Sequence, residues 1–115
     1  MVTIKRVDDV DRTEYADDFD VAQMGTGGLE GMSLQHFRFL PGATVEEHRH
    51  PQEQIGYVFT GELTLTVDGE EHVLGPDDIY YLQSNEAHAG ENRGDEPVVG
   101  VDIFSPPRDA PQWAE

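Results

Sequence analysis

The sequence has no cysteine, only one lysine, and no apolar stretch approaching the roughly 20 residues of a membrane-spanning helix. Without thiols, disulfides and thiolate chemistry are excluded, and any metal would need His, Asp, Glu or amide ligands. Positive charge is also scarce: seven Lys and Arg face 24 acids, giving a formal net charge of −17. That field repels nucleic acid and anionic membranes, so neither is an expected partner. Hydrated, mutually repelling carboxylates suit molar salt, which predicts a halophilic source; the alternative is an ordinary acidic protein. The polar N-terminus, Met1-Val2-Thr3-Ile4-Lys5-Arg6, leads into no apolar signal region, so the expected location is the cytoplasm.

What is present points to β-structure. The 115 residues include twelve glycines and seven prolines, scattered as turn residues, and 37% are hydrophobic. That length predicts a single domain over residues 1–115, with a barrel core at about 30–105. Strands are expected at 32–40, 55–60, 71–74, 79–82 and 98–104. Leu63-Thr64-Leu65-Thr66-Val67 alternates strictly, so one face is buried and the other polar, and Asp68-Gly69 then signals a hairpin. Residues 1–20 are polar and acid-rich, with a loop or short edge element at 17–20. Short strands at regular spacing, with almost no helical period, predict an all-β sandwich or barrel.

Histidines fall at 36, 48, 50, 72 and 88. In His48-Arg49-His50 the spacing of two sets both imidazoles on one face of an extended segment. Gln54 shares their parity, although Pro51 interrupts the run. A local segment cannot surround an ion, so a further ligand must come from elsewhere; His88, read as the end of the Tyr80-Tyr81 strand, is the candidate. The alternative is a pair of surface histidines. Three imidazoles and one amide oxygen suit Zn, Ni, Fe, Mn or Co. His72 reads as a solvated strand residue. His36 reads as a hydrogen-bonded histidine in the barrel wall rather than a ligand.

Asp102-Ile103-Phe104-Ser105-Pro106-Pro107-Arg108 is the second informative stretch. Asp102 and Phe104 share a strand face, and the two prolines stiffen the approach to Arg108. Together they suit a small hydroxylated carboxylic acid: Arg108 takes the carboxylate, Phe104 stacks on the ring and Asp102 moves a proton. The alternative is an Asp102–Arg108 ion pair closing a sheet edge, with Phe104 in the core.

Gly42, His48-x-His50, Gln54 and Gly61 together resemble the first cupin motif, with Gln54 where Glu is usual. Asp78-x-x-Tyr81, Asn85-x-x-His88 and Asn92 resemble the second, with Asp77 in place of Gly and Gln83 in place of Pro. The resemblance implies a jelly-roll (double-stranded β-helix) barrel, one divalent metal on His48, His50, Gln54 and His88, and a homodimer. The tail motif with His48-x-His50-Pro51 and Gln54 is similar to the pectin-degradation cupins, which linearise unsaturated uronates. That likeness implies catalytic roles for Asp102 and Arg108, substrate contacts from Gln54 and Phe104, and a small sugar acid as substrate. A metal-dependent dioxygenase and a non-catalytic sugar- or effector-binding cupin are the other expectations.

Overall fold

The computed structural model describes residues 2–24 and 31–108. Apart from a 3-10 turn at Val7–Asp9, its regular elements are strands: β1 (Arg12–Ala16), β2 (Phe19–Gln23), β3 (Ser33–Phe39), β4 (Thr44–His48), β5 (Glu53–Thr60), β6 (Leu63–Val67), β7 (Glu70–Leu74), β8 (Ile79–Leu82), β9 (His88–Glu91) and β10 (Val98–Ser105). They form two sheets, ordered β1-β2-β3-β10-β5-β8 and β4-β9-β6-β7, paired antiparallel throughout. Facing each other, the sheets enclose the interior of a jelly-roll barrel.

The expected strands become β3, β5, β6, β7, β8 and β10, each within two residues of its predicted ends. Asp68 and Gly69 join β6 to β7 with φ of 52° and 77°, the twist that suits a two-residue hairpin. The polar face of β6 is less solvated than its alternation implies. Thr64 is buried because β6 lies between β7 and β9. The N-terminal stretch differs more from expectation. Asp17-Asp18 is the turn of a β1–β2 hairpin, and β2 lies against β3 so that Phe19 and Val21 face the core while Asp20 does not. The expected C-terminal end of the domain, beyond Arg108, falls outside the described residues.

The core gathers Phe19, Val21, Phe37, Phe39, Val58, Leu63 and Val98. Phe19 and Phe39 meet edge to face at 4.4 Å. Each such ring contributes about 1.5–3 kcal/mol by leaving water.

The motif positions are explained by backbone geometry. Gly61 has φ +82°, and a Cβ there would lie 2.5 Å from the carbonyl oxygen of Pro97. Asp77 also adopts a left-handed φ, 70°, which a short polar side chain tolerates, so it can stand where glycine is usual. Its Oδ1 accepts the Tyr57 hydroxyl at 2.5 Å. At position 83 the N–H of Gln83 donates to Glu86 Oε1 at 3.1 Å, a bond proline could not make. Asn92, fully buried, ties its loop by donating to the carbonyls of Phe39 and Glu96.

Candidate metal centre

The inward residues of the central strands change character along their length. Register sets Gly100 beside Phe37 and Val58, then Asp102 beside Gln35 and Gly56, then Phe104 beside Ser33 and Gln54. One end of the barrel interior is therefore aromatic and aliphatic, and the other becomes polar within four residues. At that polar end the second sheet contributes histidine.

His48 ends β4 and pairs directly with His88, which opens β9. His50 lies beyond β4, in the connection to β5, and Gln54 comes from β5 in the other sheet. This corrects the parity argument: His48, His50 and Gln54 do not share one extended segment but converge from two sheets and a connection. His88 likewise belongs to the sheet opposite the Tyr80-Tyr81 strand rather than to its end. The convergence itself holds. The rings of His48 and His88 are 4.4 Å apart, those of His50 and His88 5.0 Å, and those of His48 and His50 5.9 Å. One nitrogen from each lies within 4.8 Å of the others.

The backbone fixes which nitrogen is offered. Nδ1 of His48, His50 and His88 faces the carbonyl of Glu46, Gln52 and Glu86, at 2.9, 3.0 and 2.8 Å. A carbonyl only accepts, so each Nδ1 carries the proton and each Nε2 keeps a lone pair. Burial favours the neutral rings, lowering His48 to about 4 and moving His50 and His88 the same way. Gln54 Oε1 stands 3.0 Å from His50 Nε2, an acceptor facing an acceptor. A cation between them would relieve that opposition. The set thus fits a divalent ion, with imidazole nitrogens and an amide oxygen as donors.

Asp102, Phe104 and Arg108 line the same cavity as His48, His88 and Gln54. Asp102 is buried; its oxygens accept the Tyr80 hydroxyl at 2.5 Å and Gln35 Nε2 at 3.5 Å. Burial raises its pKa, opposed by the bonds from Tyr80, Gln54 and Gln35. β10 runs between β3 and β5, so the alternative of Asp102 closing a sheet edge is overturned. Phe104 points inward, edge-on to His50 at 5.6 Å, and the Arg108 guanidinium lies 5.1 Å from the Phe104 ring centre. Arg108 is held by its backbone: its N–H donates to Ser33 Oγ at 2.9 Å.

Tyr80, Gln35 and Ser33 escaped the sequence reading. Alternation in β8 shows that either Tyr80 or Tyr81 faces inward, and the buried Leu82 shares Tyr80's parity. Gly56 makes room for that ring, since a Cβ there would lie 1.9 Å from Tyr80 Cζ. His72 is exposed, as expected. His36 is hydrogen-bonded but does not line the interior; it faces outward, with Nδ1 3.1 Å from Arg12 Nη1, and burial beside Arg12 keeps it neutral.

A sequence model of the Cupin domain matches residues 35–104, which contain the four candidate ligands. The chain is 36% identical over 74 residues to the tetracenomycin polyketide synthase protein TcmJ of Streptomyces glaucescens, covering 64% of this chain and 50% of that protein. It is 37% identical over 71 residues to the pectin degradation protein KdgF of Dickeya dadantii, covering 61% and 64%. The chain thus spans less than two thirds of either relative. The structure of KdgF from a Halomonas species superposes with a TM-score of 0.85 over 95% of this chain and 97% of that one, at 22% identity, a likeness of fold. With the domain match, the jelly-roll sheets and the histidine cluster in agreement, the chain belongs to the cupin family.

Proposed function

We propose that this cupin is a non-redox metalloenzyme that opens the ring of a 4,5-unsaturated uronate. The supporting observation is that Asp102, Arg108, Phe104 and Gln54 share one cavity with His48 and His88 of the histidine cluster. The likeness to the pectin degradation protein points the same way.

Arg108 binds the substrate carboxylate and supplies the local positive charge that a −17 chain otherwise lacks. Phe104 stacks on the ring. Asp102 takes the proton of the anomeric hydroxyl; the carbonyl forms there as the bond from the anomeric carbon to the ring oxygen breaks. The electron pair of that bond stays on the ring oxygen and leaves an enolate. Protonation at the neighbouring alkene carbon then gives the 2-keto acid, with Asp102 returning the proton. Its burial makes Asp102 a stronger base than a surface carboxylate. His48, His50, His88 and Gln54 would hold a divalent ion such as Zn, Ni, Fe, Mn or Co, which would supply Lewis-acid stabilisation of developing oxyanion charge. The cavity leaves about 60 Å³ free, room for an ion and a water.

The test is the ultraviolet absorbance of an unsaturated uronate, which is lost on ring opening. Purified protein should speed its decay; decay matching buffer overturns the assignment for that substrate. A second reading is an aromatic polyketide substrate, favoured by Phe19, Phe37, Phe39 and Leu65 in the same cavity and by the likeness to TcmJ. Turnover of a polyketide but not a uronate would select it.

A further inference from the structure

Gln54 is buried between two groups that make opposite demands on its amide. On β5 it precedes by two residues Gly56, which register places between Asp102 of β10 and Tyr80 of β8. Gly56 has no side chain, so the Tyr80 ring takes that space and its hydroxyl reaches Asp102 Oδ1 at 2.5 Å. The Gln54 side chain completes this group by donating to both Asp102 and the Tyr80 oxygen. At the other end of the same amide, Oε1 stands 3.0 Å from His50 Nε2. A carboxylate only accepts, so the NH2 must face Asp102, and the oxygen is left opposing the His50 lone pair. Turning the amide over would give His50 a donor but set oxygen against Asp102. The orientation in the structure satisfies the carboxylate and keeps the oxygen aimed at the three imidazoles.

We propose that Asp102 is what requires an amide at position 54. Gln54 is a positioning residue: its NH2 fixes the buried carboxylate beside Tyr80, and its oxygen is thereby presented to the candidate metal centre. A carboxylate at position 54 would offer an ion a stronger donor. It would also set two negative groups against each other in the interior, where like charges repel far more than in water. The two positions are therefore coupled as one amide and one acid, and neither can be chosen without the other. The catalytic consequence rests on the proposed role of Asp102 as the base; the coupling between the two side chains does not.

A double-mutant cycle of thermal unfolding tests this on metal-free full chain above neutral pH. It compares wild type, Gln54→Glu, Asp102→Asn, and the exchange that carries both changes. Gln54→Glu alone should lower the melting temperature by roughly 10 °C or more. The exchange again sets a donor opposite an acceptor at unchanged total charge, so it should recover most of that loss. Any effect of the new carboxylate on the histidines is present in both backgrounds and cancels. Gln54→Glu as stable as wild type overturns the proposal, as does an Asp102→Asn change that shifts the melting temperature equally in both backgrounds. Should Gln54→Glu alone fail to fold, the exchange decides: folded, it supports the coupling, and unfolded, it overturns it. With an unsaturated uronate the exchange variant should lose about 10²-fold or more in kcat, with KM little changed, because the base has left position 102 while Phe104 and Arg108 stay. An exchange variant as active as wild type overturns the positioning role. Coupling in the cycle together with a wild type that opens no uronate would sink the proposed function and leave this inference standing.

Discussion

At one end of the barrel interior, Phe19, Phe37, Phe39 and Val98 pack together without a polar side chain. At the other, the same faces of β3, β10 and β5 carry Gln35, Asp102 and Gln54. Most of the side chains at both ends are withdrawn from water, yet only the first end gains from it. Burial raises Asp102, lowers Arg108 and lowers the three histidines, so each is pushed toward its uncharged form. The aromatic end stabilises the fold, and the polar end draws on that stability to hold groups that water would solvate better. The three clustered imidazoles at such an end could hold a cation.

The sharpest way to break this contrast is to remove charge where it is costly. Asp102→Asn should slow ring opening by about 10²–10⁴-fold, the usual contribution of a general base. The same change should leave the melting temperature unchanged or higher, because the amide escapes the burial penalty on the carboxylate. A marked drop in melting temperature would show that Asp102 is structural. At the other end, Phe37→Ala should cost about 3–5 kcal/mol in denaturant unfolding, the usual result of emptying a buried aromatic site. The protein that remains folded should bind metal as wild type does.

His88→Ala should release the metal on elemental analysis, while His72→Ala on the exposed strand retains it. Equal retention by both would dissolve the proposed centre. Acid should act in the same direction. The centre's histidines titrate below the ordinary value of 6.5 when folded, His48 at about 4, so the unfolded chain binds more protons between those values. Metal-free protein should therefore lose stability as pH falls from 6.5 toward 4, and metal affinity should fall over the same interval. The smallest expected effect is Gly56→Ala. A methyl group there displaces Tyr80 from Asp102, which should lower the rate without releasing metal.

The strand pattern was legible because alternation and turn residues are local. Leu63–Val67, Asp68-Gly69 and the glycine before β4 each determine their own geometry. The convergence of the candidate ligand residues was also legible, though for reasons that proved partly wrong. His48 and His50 look like neighbours on one strand, but the strand ends between them, and only the pairing of β4 with β9 brings His88 alongside. The β1–β2 hairpin was not legible, since its few inward residues, among them Tyr15, Phe19 and Val21, do not stand out from acidic neighbours. Tyr80, Gln35 and Ser33 were hidden because nothing in a strand's own sequence says which face will meet a carboxylate 22 or 67 residues away, or a backbone N–H 75 residues away in the chain.

The sequence by itself determined the all-β character, the absence of thiol chemistry, the acidic composition and which histidines were candidate metal ligands, all of which rest on composition and short-range pattern. The tertiary structure decided the protonated nitrogen of the three clustered imidazoles and the burial of Asp102 beside Tyr80. Those depend on contacts between strands distant in the chain, which local preference does not encode.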